Sequence, residues 1–279
     1  MPPESGHSGW TETRSASRTR VARALTRTHE GTDDPEAGRA RPAREDLFGL
    51  ARDPVRRRQG TVPATAASPP DLGPTLPRAF YERPAPAVAR ALLGCLLVSR
   101  LGGRSTAGRI VETEAYLGPE DGASHAAFRP SSLDLFYGPG GRAYVFRAYG
   151  VHLCLNAIAG AAGTPGCVLI RAVEPVRGEP AMRRRRGWPP GRPAKRGLAA
   201  GPGKVTEALG ISLRENGADL TRGALTIRSV RDRPGAGPGP FAVASGPRIG
   251  ITQAADRHWR YGEAGSKFLS RPLRSGRLR

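Results

Sequence analysis

Lysine is nearly absent from this chain: of 44 basic residues only Lys195, Lys204 and Lys267 are lysines, the rest being arginines. None of the three stands in the strand and loop segments that carry the acidic clusters described below, which argues against a lysine amine as nucleophile there. Cysteine is as scarce. Cys95, Cys154 and Cys167 are odd in number, widely spaced and without CxxC or Cys/His ligand spacing, so neither a disulfide framework nor a zinc site is expected, and no cofactor is implied. Long apolar runs are missing too. The longest, Ala91 to Val98, is broken by Gly94 and falls far short of the roughly 20 residues a membrane span requires. The amino-terminal MPPESGHSGWTETRS lacks a basic-then-apolar leader, and the protein is expected inside the cell, in the cytoplasm or nucleoid if bacterial.

Acids are the minority charge: 24 Asp and Glu leave a formal net charge of +20. Such an excess points to a polyanionic partner such as nucleic acid. Its distribution marks a boundary. Residues 1–79 hold 13 Arg and 10 acids, whereas the remaining 200 residues hold 31 basic and 14 acidic side chains. Residues 1–76, rich in Arg, Thr, Ser, Pro, Ala and Gly and without periodicity, read as a disordered tail. Residues 77–275 read as one folded domain that carries most of the charge.

Within that domain, PAPAVARALLG (84–94) has Pro near the start and Gly at the end of a short helix, and CLLVSR follows as a strand. RIVETEAY (109–116) reads as a strand by alternation and β-branched content. RAYVFRAYGVHLCLNAI (142–158) alternates, breaks at Gly150 and resumes, and AGAAGTPG joins it to the strand CVLIRAV (167–173) as a hairpin. Helices are expected at about 179–186 and 204–209, and strands near 224–230 and 248–252. Adjacent antiparallel strands with scattered short helices predict an α+β fold, a largely antiparallel curved sheet with peripheral helices.

Three segments are candidates for chemistry. Period-2 alternation in the 109–116 strand places Ile110, Glu112, Glu114 and Tyr116 on one face, and the loop after it adds Glu120, Asp121 and His125. The strand from Arg142 interleaves Arg142 and Arg147 with Tyr144, Phe146 and Tyr149, which suits stacking of bases beside phosphates as well as it suits core packing. MRRRRGWPPGRPAKR (182–196) is a basic, Pro/Gly-rich stretch that reads equally as a solvated loop or as a phosphate contact. GPGKVT after it is no P-loop, because Leu198 and Val205 stand where Gly and Ser/Thr are required, although a helix amino terminus there suits a phosphate.

Taken in order, RIVETEAYLGPEDGASHA, YVFRAYGVHLCLN, CVLIRAVEP, GPGKVTEALGI and SGPRIGI closely resemble the alkyladenine (3-methyladenine) DNA glycosylase family over about residues 78–274. The resemblance implies a monomeric, metal-free base-excision-repair enzyme that flips a damaged base from double-stranded DNA and hydrolyses its N-glycosidic bond. By the same resemblance Glu114 is the general base for water, and Arg171 helps to hold that water. Asn156 lines the base pocket, Tyr116 and His125 stack on and contact the extruded nucleotide, and Tyr149 wedges into the duplex. The Ile249 backbone carbonyl helps to orient the water. Phe146 stands where members often have tyrosine, which keeps the stacking surface and removes a hydroxyl.

Two rivals stand beside this reading. A carbohydrate-directed glycoside hydrolase would use Glu112 and Glu114 as paired acids, about 6.5–7 Å apart at Cα, but a neutral glycan gives no reason for the charge. A non-catalytic nucleic-acid binder would leave Glu114 as a solvated strand residue.

Overall fold

Chain order begins with strand β1 (Leu72–Thr75), helices α1 (Arg78–Tyr81) and α2 (Ala85–Ala91), and strands β2 (Leu96–Ser99) and β3 (Thr106–Tyr116). Short helices α3 (His125–Phe128) and α4 (Leu133–Phe136) precede the strands β4 (Ala143–Ala148), β5 (His152–Ile158) and β6 (Cys167–Arg177). Helices α5 (Glu179–Arg185) and α6 (Pro202–Leu209) and strands β7 (Leu225–Val230), β8 (Val243–Gly246) and β9 (Arg260–Glu263) complete the set. The computed structural model describes residues 72–189, 196–230 and 241–273. All pairings are antiparallel in one sheet of order β1-β7-β2-β3-β6-β5-β4, with β9 pairing β3 beyond the reach of β2, and β8 pairing β9. This is the expected α+β architecture.

The local rules hold where they were strongest. Pro84 caps α2 with its ring at the helix start, and Gly94 takes φ +86° past its end, the usual asymmetry of Pro first and Gly last. Helix α2 lays Val88 and Ala89 onto the sheet, where they join Leu92, Leu97, Ile110, Ile170, Val205 and Leu209 in the main core. A second cluster of Phe136, Tyr144, Ile158 and Cys167 lies under Tyr116 and Phe146. Among the described residues no helix is long and apolar enough to cross a membrane.

Three expectations need correction. A strand already occupies Leu72–Thr75, inside the segment assigned to the tail: Leu72 pairs with Val230, Thr75 with Arg228, and Arg228 donates from Nε to the Gly73 carbonyl at 2.9 Å. The boundary at 77 therefore falls five residues late, because LGPT has no alternation of its own and is a strand only through β7. The rest of the tail, residues 1–71, lies outside the described residues. Second, the 248–252 segment is a loop. The Ile249 N–H that a strand ladder needs goes instead to the Glu114 carboxylate, and Gly250 takes φ +77°.

Third, alternation along β3 is interrupted. Ile110 pairs with Val173, Glu112 with Ala172 and Thr113 with Ile170, so Val111 on β3 and Arg171 on β6 are extra residues in facing bulges. A one-residue slip exchanges faces. Ile110 consequently shares the main core with Ala115, and Thr113 donates to the Ala89 carbonyl of α2 at 2.9 Å. Glu112 and Glu114 are left on the opposite side, together with Arg171.

Candidate active site

The carboxylates and guanidiniums released by the paired bulges form a buried network at the middle of the sheet. Glu112, fully buried, accepts from Arg171 Nε at 3.0 Å, Arg260 Nε at 2.8 Å, the Ser270 N–H at 2.5 Å and the Ser270 hydroxyl at 2.8 Å. Three of these donors meet Oε1 and one meets Oε2. Glu114, also fully buried, accepts from the Ile249 N–H on Oε1 at 2.8 Å, and on Oε2 from the Tyr116 hydroxyl at 2.8 Å and Arg171 Nη1 at 3.1 Å. Burial raises the Glu114 pKa above the usual glutamate range, against the opposing pull of Arg171, the Ile249 N–H and the Tyr116 hydroxyl. Burial also works against the charge on Arg171, but Glu114 and Glu112 outweigh it and hold that guanidinium firmly protonated.

In front of Glu114 opens a cavity of about 560 Å³, within the usual range for small-molecule pockets. Tyr116, His125, Phe146, Tyr149, Asn156, Arg171 and Ile249 all line it. The structure thus brings together every residue expected on the substrate, while Glu114 stands behind Tyr116, Arg171 and Ile249. The Ile249 N–H donates to the Glu114 carboxylate, a contact additional to the role expected of its carbonyl.

Aromatic rings form the walls. Phe146 stacks on Tyr144 at a centroid distance of 5.3 Å and meets the edge of His125 at 4.3 Å. The Tyr144 hydroxyl and His125 Nδ1 are 2.6 Å apart. Burial, helped by the nearby Arg129 charge, lowers the His125 pKa to about 4, so the imidazole is neutral at physiological pH. The unfolded chain protonates near 6.5, and so stability from this site is complete above that pH and is lost as pH falls towards 4. In thermal melts the wild-type Tm is expected to drop more between pH 7 and pH 4 than that of His125→Gln; parallel drops would contradict a depressed pKa. Asn156 is spent on the floor, donating to the Tyr144 carbonyl at 3.1 Å and accepting from Cys167. Burial raises the Cys154 thiol to about 11 and that of Cys167 further, which removes both as nucleophiles at neutral pH.

The β4–β5 hairpin carries the most exposed aromatic at the cavity. Tyr149 and Gly150 have φ +50° and +70° and the Val151 N–H returns to the Ala148 carbonyl, a turn with two left-handed central residues as the mirror-image hairpin turns demand. The result leaves Tyr149 83% and Val151 69% exposed at the tip, with the tyrosine hydroxyl donating to the Gly250 carbonyl at 3.3 Å.

Several pairings were not foreseen, though Tyr144 and Asp121 were themselves candidates. Tyr144 anchors His125. Arg248 and Asp121, whose side chains are wholly buried, form a bidentate pair at 2.6 and 2.8 Å beneath Tyr116. Arg260 and Ser270 serve Glu112 from 148 and 158 residues away. The arginine of PRIGI was the one available signal, being a charge between apolar neighbours. The basic stretch is in part structural: Arg185 donates to the Ala208 and Leu101 carbonyls at 3.1 Å each, and Arg186 pairs with Glu207; residues 190–195 lie outside the described residues. Among the described residues no cluster of His, Cys, Asp or Glu suits a metal ion.

Comparison with known proteins bears on this arrangement directly. Residues 79–267 match the family described as methylpurine-DNA glycosylase (MPG). A protein of Methanoculleus marisnigri is 45% identical over 197 residues, covering 71% of this chain and 99% of the relative. One of Bradyrhizobium diazoefficiens is 43% identical over 214 residues (76% and 98%), and one of Nitrobacter winogradskyi 44% over 209 (74% and 92%). All three carry the name "Putative 3-methyladenine DNA glycosylase". The chain is a DNA glycosylase, an enzyme that hydrolyses N-glycosyl bonds of DNA. It belongs to the methylpurine-DNA glycosylase family.

Proposed function

We propose that this protein acts as a monomer on double-stranded DNA inside the cell, extrudes an alkylated purine of the 3-methyladenine type, and hydrolyses its glycosidic bond with a water activated by Glu114. The observation that carries the reading is the buried carboxylate of Glu114 behind an aromatic-walled cavity, held by Arg171, Tyr116 and the Ile249 N–H. A base in the stack is unreachable, and its extrusion costs a few kcal/mol. Tyr116 and Phe146 offer stacking surfaces for it. Neutral His125, its Nδ1 2.6 Å from the Tyr144 hydroxyl, carries one ring N–H, which is a donor to the base in the tautomer protonated on Nε2.

In the chemical step the bond between C1′ and the purine nitrogen breaks and its electron pair leaves with the base. The sugar gains oxocarbenium character, which the Glu114 carboxylate stabilises. Water attacks C1′ and gives its proton to Glu114, leaving an abasic sugar. Arg171 and the Ile249 backbone orient that water. Glu112 is no second acid, because Arg171, Arg260 and Ser270 occupy it, which removes the support for a paired-carboxylate carbohydrate hydrolase. The test is incubation with a methylated duplex: free 3-methyladenine and an alkali-labile but unbroken strand are expected, and a duplex that is bound without base release overturns the reading.

Tyr149 is proposed as the wedge that fills the vacated stack. Tyr149→Ala should lower single-turnover release by about tenfold on well-paired lesions, whose extrusion costs most, and by much less on mismatched ones. Equal losses on both would remove the wedge role.

A further inference from the structure

Arg248 takes no part in the step just described, yet it occupies an unusual position. Its side chain is wholly buried, as is that of Asp121, and the carboxylate engages both Nη atoms edge-on. Nη1 also donates to the Ala115 carbonyl at 3.1 Å and Nη2 to that of Ala254 at 3.3 Å. The guanidinium carbon lies 4.6 Å from the ring centroid of Tyr116 and 5.0 Å from that of Trp259. Tyr116 lines the cavity and Arg248 does not, so the cation sits on the side of the ring turned away from the base. The other wall is loaded too. The Arg129 guanidinium carbon lies 5.6 Å from the Phe146 centroid, and Arg129 itself lines the cavity.

An uncommitted aromatic face attracts a cation through its quadrupole. A guanidinium on the ring draws on the same electron density and repels a second cation across it. Nor do the acids compensate: Glu112 pairs with Arg171 and Arg260, Glu114 with Arg171, and Asp121 with Arg248, so among the described residues each of these buried carboxylates already has a cationic partner. We propose that Arg248, acting through Tyr116, and Arg129, beside Phe146, set the charge preference of the base pocket by restraining selection of cationic alkylated purines over neutral modified ones. Arg248 is then a positioning residue and Asp121 its anchor. The inference rests on the proposal that this cavity receives the extruded base.

The experiment compares single-turnover release of 7-methylguanine, a cationic base in DNA, and hypoxanthine, a neutral one, each opposite cytosine in the same duplex, at pH 8, with the full chain. Asp121→Asn combined with Arg248→Gln removes both charges of the buried pair without leaving one behind. The ratio of 7-methylguanine to hypoxanthine rates is expected to rise by about threefold to tenfold, the span of one cation–π contact, and to rise about twofold in Arg129→Gln. Arg248→Lys, which retains the charge, should stay near the wild-type ratio. A purely structural clamp would lower both rates together, and an unchanged ratio in variants that melt cooperatively overturns the inference. If the double variant does not fold, Arg129→Gln decides, since an unmoved ratio there is equally fatal. Wild-type protein that releases 7-methylguanine but no hypoxanthine overturns the inference alone; wild-type protein that releases neither base overturns the reading of the cavity with it.

Discussion

Glu114→Gln is expected to lower single-turnover base release by at least about 10²-fold, the scale of a lost general base, while DNA binding stays nearly unchanged. Glutamine can still accept the Ile249 N–H through its amide oxygen, and Arg171 keeps Glu112, so no buried cation is orphaned. What is lost is the capacity to take a proton from water and to offset positive charge on the sugar. The wild-type pH profile should carry the same signature. Because burial raises the Glu114 pKa, the active, ionised form is depleted as pH falls through a value above the usual glutamate range, and the acid limb of the rate profile should lie correspondingly high. Release measured on a methylated duplex across pH, with binding measured in parallel, checks both statements. A Glu114→Gln protein within a few-fold of wild type would remove the carboxylate from the chemistry.

Glu112→Gln should have its largest effect on the fold. Arg260 is 5% exposed, and Glu112 is its one carboxylate partner among the described residues. Removing the charge leaves that guanidinium buried and uncompensated, at a cost of about 3 kcal/mol or more. At 2–4 °C per kcal/mol for a domain of this size, Tm should fall on the order of 6–12 °C. Release by the folded fraction should fall by less than in Glu114→Gln, since Arg171 keeps its bond to Glu114 and loses only its second anchor. Thermal melts and single-turnover rates on the same preparation separate the two effects. Unchanged stability with a rate loss equal to that of Glu114→Gln would instead indicate two working acids.

Much of the candidate site was legible because its parts are local. Tyr116 follows Glu114 by two residues, so their hydroxyl–carboxylate contact is a property of one strand. Gly150 after Tyr149 announces a turn with left-handed backbone, and such a turn projects its first central side chain. Pro84 and Gly94 bracket α2 by rules that act within one turn of helix. Beyond these, the order of the motifs identified the family, and with it the roles expected of Glu114, Arg171, His125 and Asn156.

Other features came only from distant partners. That Ile110 does not share a face with Glu112 and Glu114 was not legible in the alternation, because the facing bulges at Val111 and Arg171 arise from the pairing of β3 with β6 and change the parity of both strands at once. The hydrogen bonding of Glu112 draws on Arg260 and Ser270, 148 and 158 residues away. The pairing of Arg248 with Asp121 spans 127 residues. Strand β1 needs β7, and the loop at 248–252 gives up a ladder hydrogen bond to a carboxylate on β3. Sequence periodicity reports what a segment does against a uniform surface, and so it determined the fold class, while the motifs in their order pointed to the family and to the residues that line the cavity. Long-range pairing and the desolvation of charge decided which donors each buried carboxylate meets, and what lies behind the aromatic wall.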